Sequence, residues 1–375
     1  MKIRSYLLSL ACILAAALSF TACSDDDDDD ETTATWSSDE LGSAVEMSQE
    51  RGFVLNEGSY GYNNSHLTYF DYATDEVLED DIYETQNGVK IGDTGQDIVV
   101  YEGNLYLVVN GSNYIAKLNG VGVEQARFSF ADYSDLGEAR YAAASDGYIY
   151  VTSYGGYVSK FAADDLEYIG SQAVGSNPEQ IIVEDGKIYC VNSGWGYDNR
   201  LSIIDEATFG EAENVEIMTN PQRILCADGT IVIQGYGGAY GSYTYPVEIY
   251  DPDTQTSTQI GTGTGIAAYG STVYIINTEV DYSTYPDQYT GTTEVTAYDV
   301  ATGVTTTSPL DLPDGVTEAC SYGISVNDLT GDVYVCITNY TWGDGEVYHF
   351  AADGSLVGSF SSYGQNPNKV VFVNE

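Results

Sequence analysis

Few side chains in this chain suit acid–base or metal chemistry. His66 (in "NSHLTYF") and His349 (in "EVYHFA") are the only histidines, and each sits in an alternating, strand-like context that reads as structural. Clustered-histidine zinc or iron sites are thereby excluded. There is no GxSxG elbow and no CxxC spacing; Cys190, Cys226, Cys320 and Cys336 lie in apolar strand-like runs and read as buried free thiols rather than disulfides. No catalytic residue, cofactor or resident metal is expected. Carboxylates are plentiful, so a calcium site or a carboxylate pair stays open, although "DPDTQTST" and "NDLTGD" read first as turns.

What the chain has in quantity is tyrosine, 34 of them with 40 glycines. Many fall in seven short segments: "EGSYGYNNSH", "NGSNY", "SYGGY", "NSGWGYDNR", "QGYGGAYGSYTYP", "NTEVDYSTYPDQYTGT" and "TNYTWGDGE". Tyr beside Gly, Ser and Asn is the composition of binding surfaces, where rigid amphipathic rings give contact at low entropic cost. The candidate ligand-binding aromatics are Tyr60, Tyr62, Tyr114, Tyr154, Tyr157, Trp195, Tyr197, Tyr236, Tyr240, Tyr243, Tyr245, Tyr282, Tyr285, Tyr289, Tyr340 and Trp342. For any single one, packing in a solvated rim is the plainer role.

A repeat positions these segments. "EGNLYLVVNGSNYIAKLN", "SDGYIYVTSYGGYVSKFA" and "EDGKIYCVNSGWGYDNRLSIID" are one unit, and three further copies follow toward the C-terminus. The central strand positions Tyr106, Tyr150, Tyr189, Val232 and Tyr274 recur roughly every 40–45 residues, with a longer gap to Tyr334, which is the period of a propeller blade. Each unit follows a lead-in strand such as "GQDIVV", "SNPEQIIV", "TNPQRILC", "GTGIAAY" or "CSYGISV". The first unit, "GFVLNEGSYGYNNSHLTYFDY", lacks one, and the last segment, "GQNPNKVVFVNE", is a lead-in with no unit after it. The expectation is an all-β, seven-bladed propeller of four-stranded blades over residues 51–375, closed by the C-terminal strand. In that topology the aromatic segments share one face. Residues opening the lead-in strands ring the channel there: Asp97, Tyr141, Gln180, Arg223 and Lys369, with Arg140, Asn177 and Asn366 beside them. They bind ligand, or the cations pair with carboxylates and hold blades together.

The N-terminus carries Lys2 and Arg4, an apolar run from Leu7 to Phe20, and "FTAC" ending at Cys23. This resembles a bacterial lipobox, which implies a signal peptide over 1–22, lipidation of Cys23 and a tethered linker over 23–50; ordinary cleavage after Ala22 is the alternative. The run "CSDDDD" reads as a solvated spacer, and also resembles the acidic tract of Bacteroidota lipoproteins exported to the cell surface. Removing Lys2 and Arg4 takes the formal net charge from −45 to −47. That charge excludes nucleic-acid binding and repels anionic headgroups.

"RGFVLNEGSYGYNNSHLTYFDYATDE", "IGDTGQDIVVYEGNLYLVVNGSN" and "NPEQIIVEDGKIYCVNSG" resemble the YncE-like propeller lipoproteins of gut Bacteroidota, over nearly all of residues 51–375. The group includes BtuG-type proteins that capture vitamin B12 at the cell surface. The resemblance implies a non-enzymatic, outward-facing outer-membrane lipoprotein that captures cobalamin or a related corrinoid and passes it to a TonB-dependent transporter. A glycan- or siderophore-binding propeller, or an adhesin-like protein, is the alternative. The resemblance implies no particular contact residue.

Overall fold

The computed structural model describes residues 42–284, 290–340 and 343–373. Its strands form seven antiparallel sheets of four, the expected seven-bladed propeller. The innermost strands, blade by blade, are Pro367–Val373, Gly95–Tyr101, Ala139–Ser145, Pro178–Glu184, Pro221–Ala227, Gly265–Tyr269 and Cys320–Val326. Each packs beside the next, and the last returns to the first.

The second strand of each blade is a nearly unbroken apolar run, as in "NLYLVV" or "VYVCIT", because blades stack face to face and cover both its sides. Outer strands such as Glu124–Ser129 alternate in exposure. Seven apolar clusters result, one between each pair of neighbouring blades. All four cysteines of the propeller are free.

Blade 1 is composite, as expected: Arg51–Asn56 pairs with His66–Asp71 on one side and with Pro367–Val373 on the other, in register Arg51 with Val373 and Leu55 with Lys369. At this seam the His349 ring of blade 7 stacks on Tyr334 at 4.5 Å. It sits 2.8 Å from Asp75 of blade 1 and 3.4 Å from Asp332, which keeps both histidines in structural positions: His66 lies near Asp81 and the Tyr363 carbonyl. Residues 43–50, assigned to the linker by sequence, lie against blade 1; Met47 is buried in its core and the Ser48 amide donates to the Tyr69 hydroxyl at 2.6 Å.

The two ends of the ring are built differently. Away from the aromatic segments, the hairpins of blades 2–5 turn on Glu102-Gly103, Asp146-Gly147, Asp185-Gly186 and Asp228-Gly229, with positive φ at both residues. Only a two-residue turn of that hand matches the strand twist, so this end is short.

Candidate ligand-binding face and channel mouth

At the other end, the aromatic loops are tied to the connections entering the innermost strands. The amides of Glu57, Asn110, Tyr154, Ser193 and Tyr236 donate to the carbonyls of Asn366, Thr94, Glu138, Asn177 and Asn220, at 2.8–3.0 Å. Thr94, Asn177, Asn220 and Asn366 have positive φ, which turns the chain sharply into the channel wall. The Asn366 side chain is tied into the wall, its amide bound to Gly58 and Thr338, whereas Asn177 spends only its backbone carbonyl there and lines a neighbouring cleft. Six of the seven innermost strands then carry a bulge at their second or third residue. A bulge re-aims side chains, here toward the mouth. Blade 6 has none, and its strand opens with Gly265, Ile266 and Ala267.

The re-aimed residues stitch neighbouring blades. Lys369 of blade 1 reaches Asp97 of blade 2 at 2.7 Å, and the other oxygen of Asp97 accepts from the Ala142 amide of blade 3. Arg140 of blade 3 meets Gln96 on one side and Glu179 of blade 4 at 2.7 Å on the other. Glu179 also accepts from Ser193 and Tyr154. Burial opposes the charge of Arg140, but Glu179, Tyr141 and Tyr154 outweigh it and hold the guanidinium protonated. Gln180 accepts from the Ile224 amide of blade 5. Tyr322 of blade 7 donates to Glu57 at 2.8 Å. Burial pushes Glu57 above the usual carboxylate range, while that hydrogen bond and the charges of Arg140 and Arg223 pull it back.

Above this ring stand the aromatics. Among the described residues, Tyr60, Tyr62, Tyr133, Trp195, Tyr197, Tyr240, Tyr282 and Tyr363 are exposed at the loop end, and only Tyr269 at the other. Tyr197 and Tyr240 are 88 and 93 % exposed. Trp195 meets Tyr154 edge-on at 6.1 Å, and Tyr154 carries Arg140 over its ring at 4.8 Å. Tyr236, Tyr240, Tyr243 and Tyr245 form one cluster, and Tyr322 meets Tyr340. Trp195, Tyr245, Tyr340 and Tyr363 all have positive φ. For bulky residues this costs about 1 kcal/mol or more each, a strain typical of ligand clamps.

Tyr114 is a correction. It is 3 % exposed, its hydroxyl donates to the Ile91 carbonyl at 2.6 Å, and Arg127 covers its ring, so it belongs to the core. Trp342, Tyr285, Tyr289 and Cys23 lie outside the described residues. Glu57, Gln96, Glu179 and Tyr322 were not singled out from sequence. Tyr322 was within reach, since it sits in the lead-in "CSYGISV" at the position of Tyr141 and Gln180.

Two clefts, of about 450 and 360 Å³, lie among the loops and outer strand around blade 3. The larger is lined by Asp132, Tyr133, Asp135, Tyr157, Tyr168 and Ser171, and Tyr157 borders both. Among the described residues, no group of three or more His, Cys, Asp or Glu is placed to hold a metal ion.

No curated protein matches the chain. Among solved structures, it is similar to a quinonprotein alcohol dehydrogenase-like protein from Bacteroides thetaiotaomicron, at 14 % identity and TM-score 0.59, over 88 % of this chain and 81 % of that one. It is also similar to hydrazine synthase of Kuenenia stuttgartiensis, at 16 % identity and TM-score 0.53, over 67 % of this chain and 74 % of that one. At such identities the likeness is one of fold. Residues 51–366 match a family model described as Domain of unknown function (DUF5074), and over that span the chain belongs to this family of propellers.

Proposed function

We propose that this protein captures a small-molecule ligand and performs no chemistry on it. In this reading it is held at the outer membrane by acylated Cys23, faces the exterior, and passes a corrinoid such as cobalamin to a TonB-dependent transporter. The observation that carries the reading is the segregation of exposed aromatics onto one end of the ring. Scattered exposed apolar residues need no explanation, but aromatics gathered at one end of the ring around a polar channel mouth suit a large, nearly neutral ligand rimmed with amides.

Calorimetric titration of residues 36–375 with cyanocobalamin and cobinamide tests it. Tight 1:1 binding, weakened about tenfold or more by Trp195→Ala, is expected. Absence of heat and of co-elution at micromolar concentration overturns the corrinoid assignment. One observation favours a glycan instead: the larger cleft sets tyrosine faces beside Asp132, Asp135 and Ser171, which suits stacked, hydrogen-bonded sugar rings.

A further inference from the structure

The cations of the channel wall follow a rule. Lys369 of blade 1 reaches forward to the carboxylate of blade 2, and Arg140 of blade 3 reaches forward to the carboxylate of blade 4. Arg223 is the third residue of its strand in blade 5, the place Lys369 holds in blade 1 and one beyond that of Arg140 in blade 3. The next blade is blade 6, whose innermost strand opens with Gly265, Ile266 and Ala267 and offers no carboxylate. Arg223 is half-buried; its backbone pairs with Gln234, but among the described residues its side chain forms no hydrogen bond, ion pair or ring contact.

This sets it apart in the molecule. Lys117, Arg127, Arg140, Lys160, Arg200 and Lys369 all have partners, as does Arg51. The remaining cations of the propeller, Lys90 and Lys187, are exposed to water. A chain with 57 carboxylates had partners to spare. A half-buried guanidinium left open presents charge-assisted donors that only solvent or a ligand can satisfy.

Neighbouring groups converge on the same gap. The charge of Arg223 pulls down the pKa of Glu57, Tyr141 and Tyr236 against their burial, yet among the described residues no carboxylate pairs with it. The Gln180 side chain spends its oxygen on the Ile224 amide, and its nitrogen takes no partner among the described residues. The hydroxyls of Tyr141 and Tyr236 are likewise unclaimed there.

We propose that Arg223, with Gln180, Tyr141 and Tyr236 beside it, receives one negatively charged oxyanion group of the captured ligand: a carboxylate, phosphate or sulfate takes the place of the carboxylate that blade 6 lacks. The proposal rests on the reading of this end as a capture surface, not on the ligand being a corrinoid. Its electrostatics are local. A chain of net charge −45 disfavours anions in general, so a saturable anion site stands out against its surroundings.

The test uses inorganic phosphate and no corrinoid, so it fails or succeeds independently of the calorimetry above. Residues 36–375 hold only five arginines, and their Nε–H resonances are resolvable in a ¹H–¹⁵N spectrum. The Arg223 signal is the one missing from Arg223→Lys. Titration with phosphate, at ionic strength matched with chloride, is expected to shift that signal saturably and leave the other four in place. Phosphate affinity, followed on amide resonances around the mouth, falls about tenfold or more in Arg223→Gln and less in Arg223→Lys, which keeps the charge but not the fork. Thermal unfolding of both variants checks that the ring is intact. A flat or non-saturable response, or equal phosphate binding in Arg223→Gln, overturns the proposal.

Discussion

The two ends of the ring use buried charge differently. At the seam between blades 7 and 1, His349 is enclosed by Asp75 and Asp332 and backed by Tyr334, so its charge is met by protein carboxylates. At the channel mouth, ion pairs of similar length stand beside a cation whose side chain has no partner among the described residues. Closed charge in a low-dielectric wall joins neighbouring blades, whereas open charge is strained until something arrives. The difference between Arg140 and Arg223 is therefore one of neighbours, not of residue type.

Breaking a closed pair should cost the most. Arg140→Met leaves the nearly buried Glu179 carboxylate without its cation, and about 3–5 kcal/mol of stability should be lost in denaturant titrations. Arg223→Gln should change stability by no more than about 0.5 kcal/mol, because no side-chain hydrogen bond or ion pair is lost with it. Equal losses in the two variants would erase the comparison.

The seam offers a sharper test through pH. Burial lowers the His349 pKa, but the hydrogen bond and charge of Asp75, with Asp332, outweigh it, so the folded value lies above the ordinary one. A raised folded value means that the charged imidazole's contribution is complete below about pH 6.5 and is lost as pH rises through the folded pKa. The stability gap between the parent chain and His349→Gln should thus be widest in mild acid and narrow as pH rises. A gap that widens toward alkaline pH would contradict the clamp.

The smallest effect belongs to the rim. Tyr240→Ala and Tyr197→Ala, both at nearly fully exposed positions, should leave the melting temperature unchanged within about a degree or two while weakening ligand capture. A large loss of stability would return these rings to a packing role.

The fold was legible because blade periodicity, the missing lead-in at residue 52 and the orphan strand at 364–375 are all properties of the chain read in order. The site was legible only in outline. Which of two consecutive residues faces the channel depends on a bulge, and a one-residue shift exchanges Glu179 for Gln180 or Gln96 for Asp97. Partners such as Glu57 and Tyr322 come from blades far apart in sequence and meet only when the ring closes. Tyr114 was misplaced because "NGSNY" is so short that its last residue already begins the next strand, beneath Arg127.

That closure has a consequence in time. Arg51–Asn56 is among the first strands of the propeller to be synthesised, and its partner Pro367–Val373 is the last. Until Pro367–Val373 has been synthesised, blade 1 waits with one edge unpaired, the state in which strands recruit the wrong neighbours. Joining ends so distant in sequence makes the final step slow, and everything packed against the seam waits for it. The ring, and with it the channel mouth, is complete only once that last strand has paired.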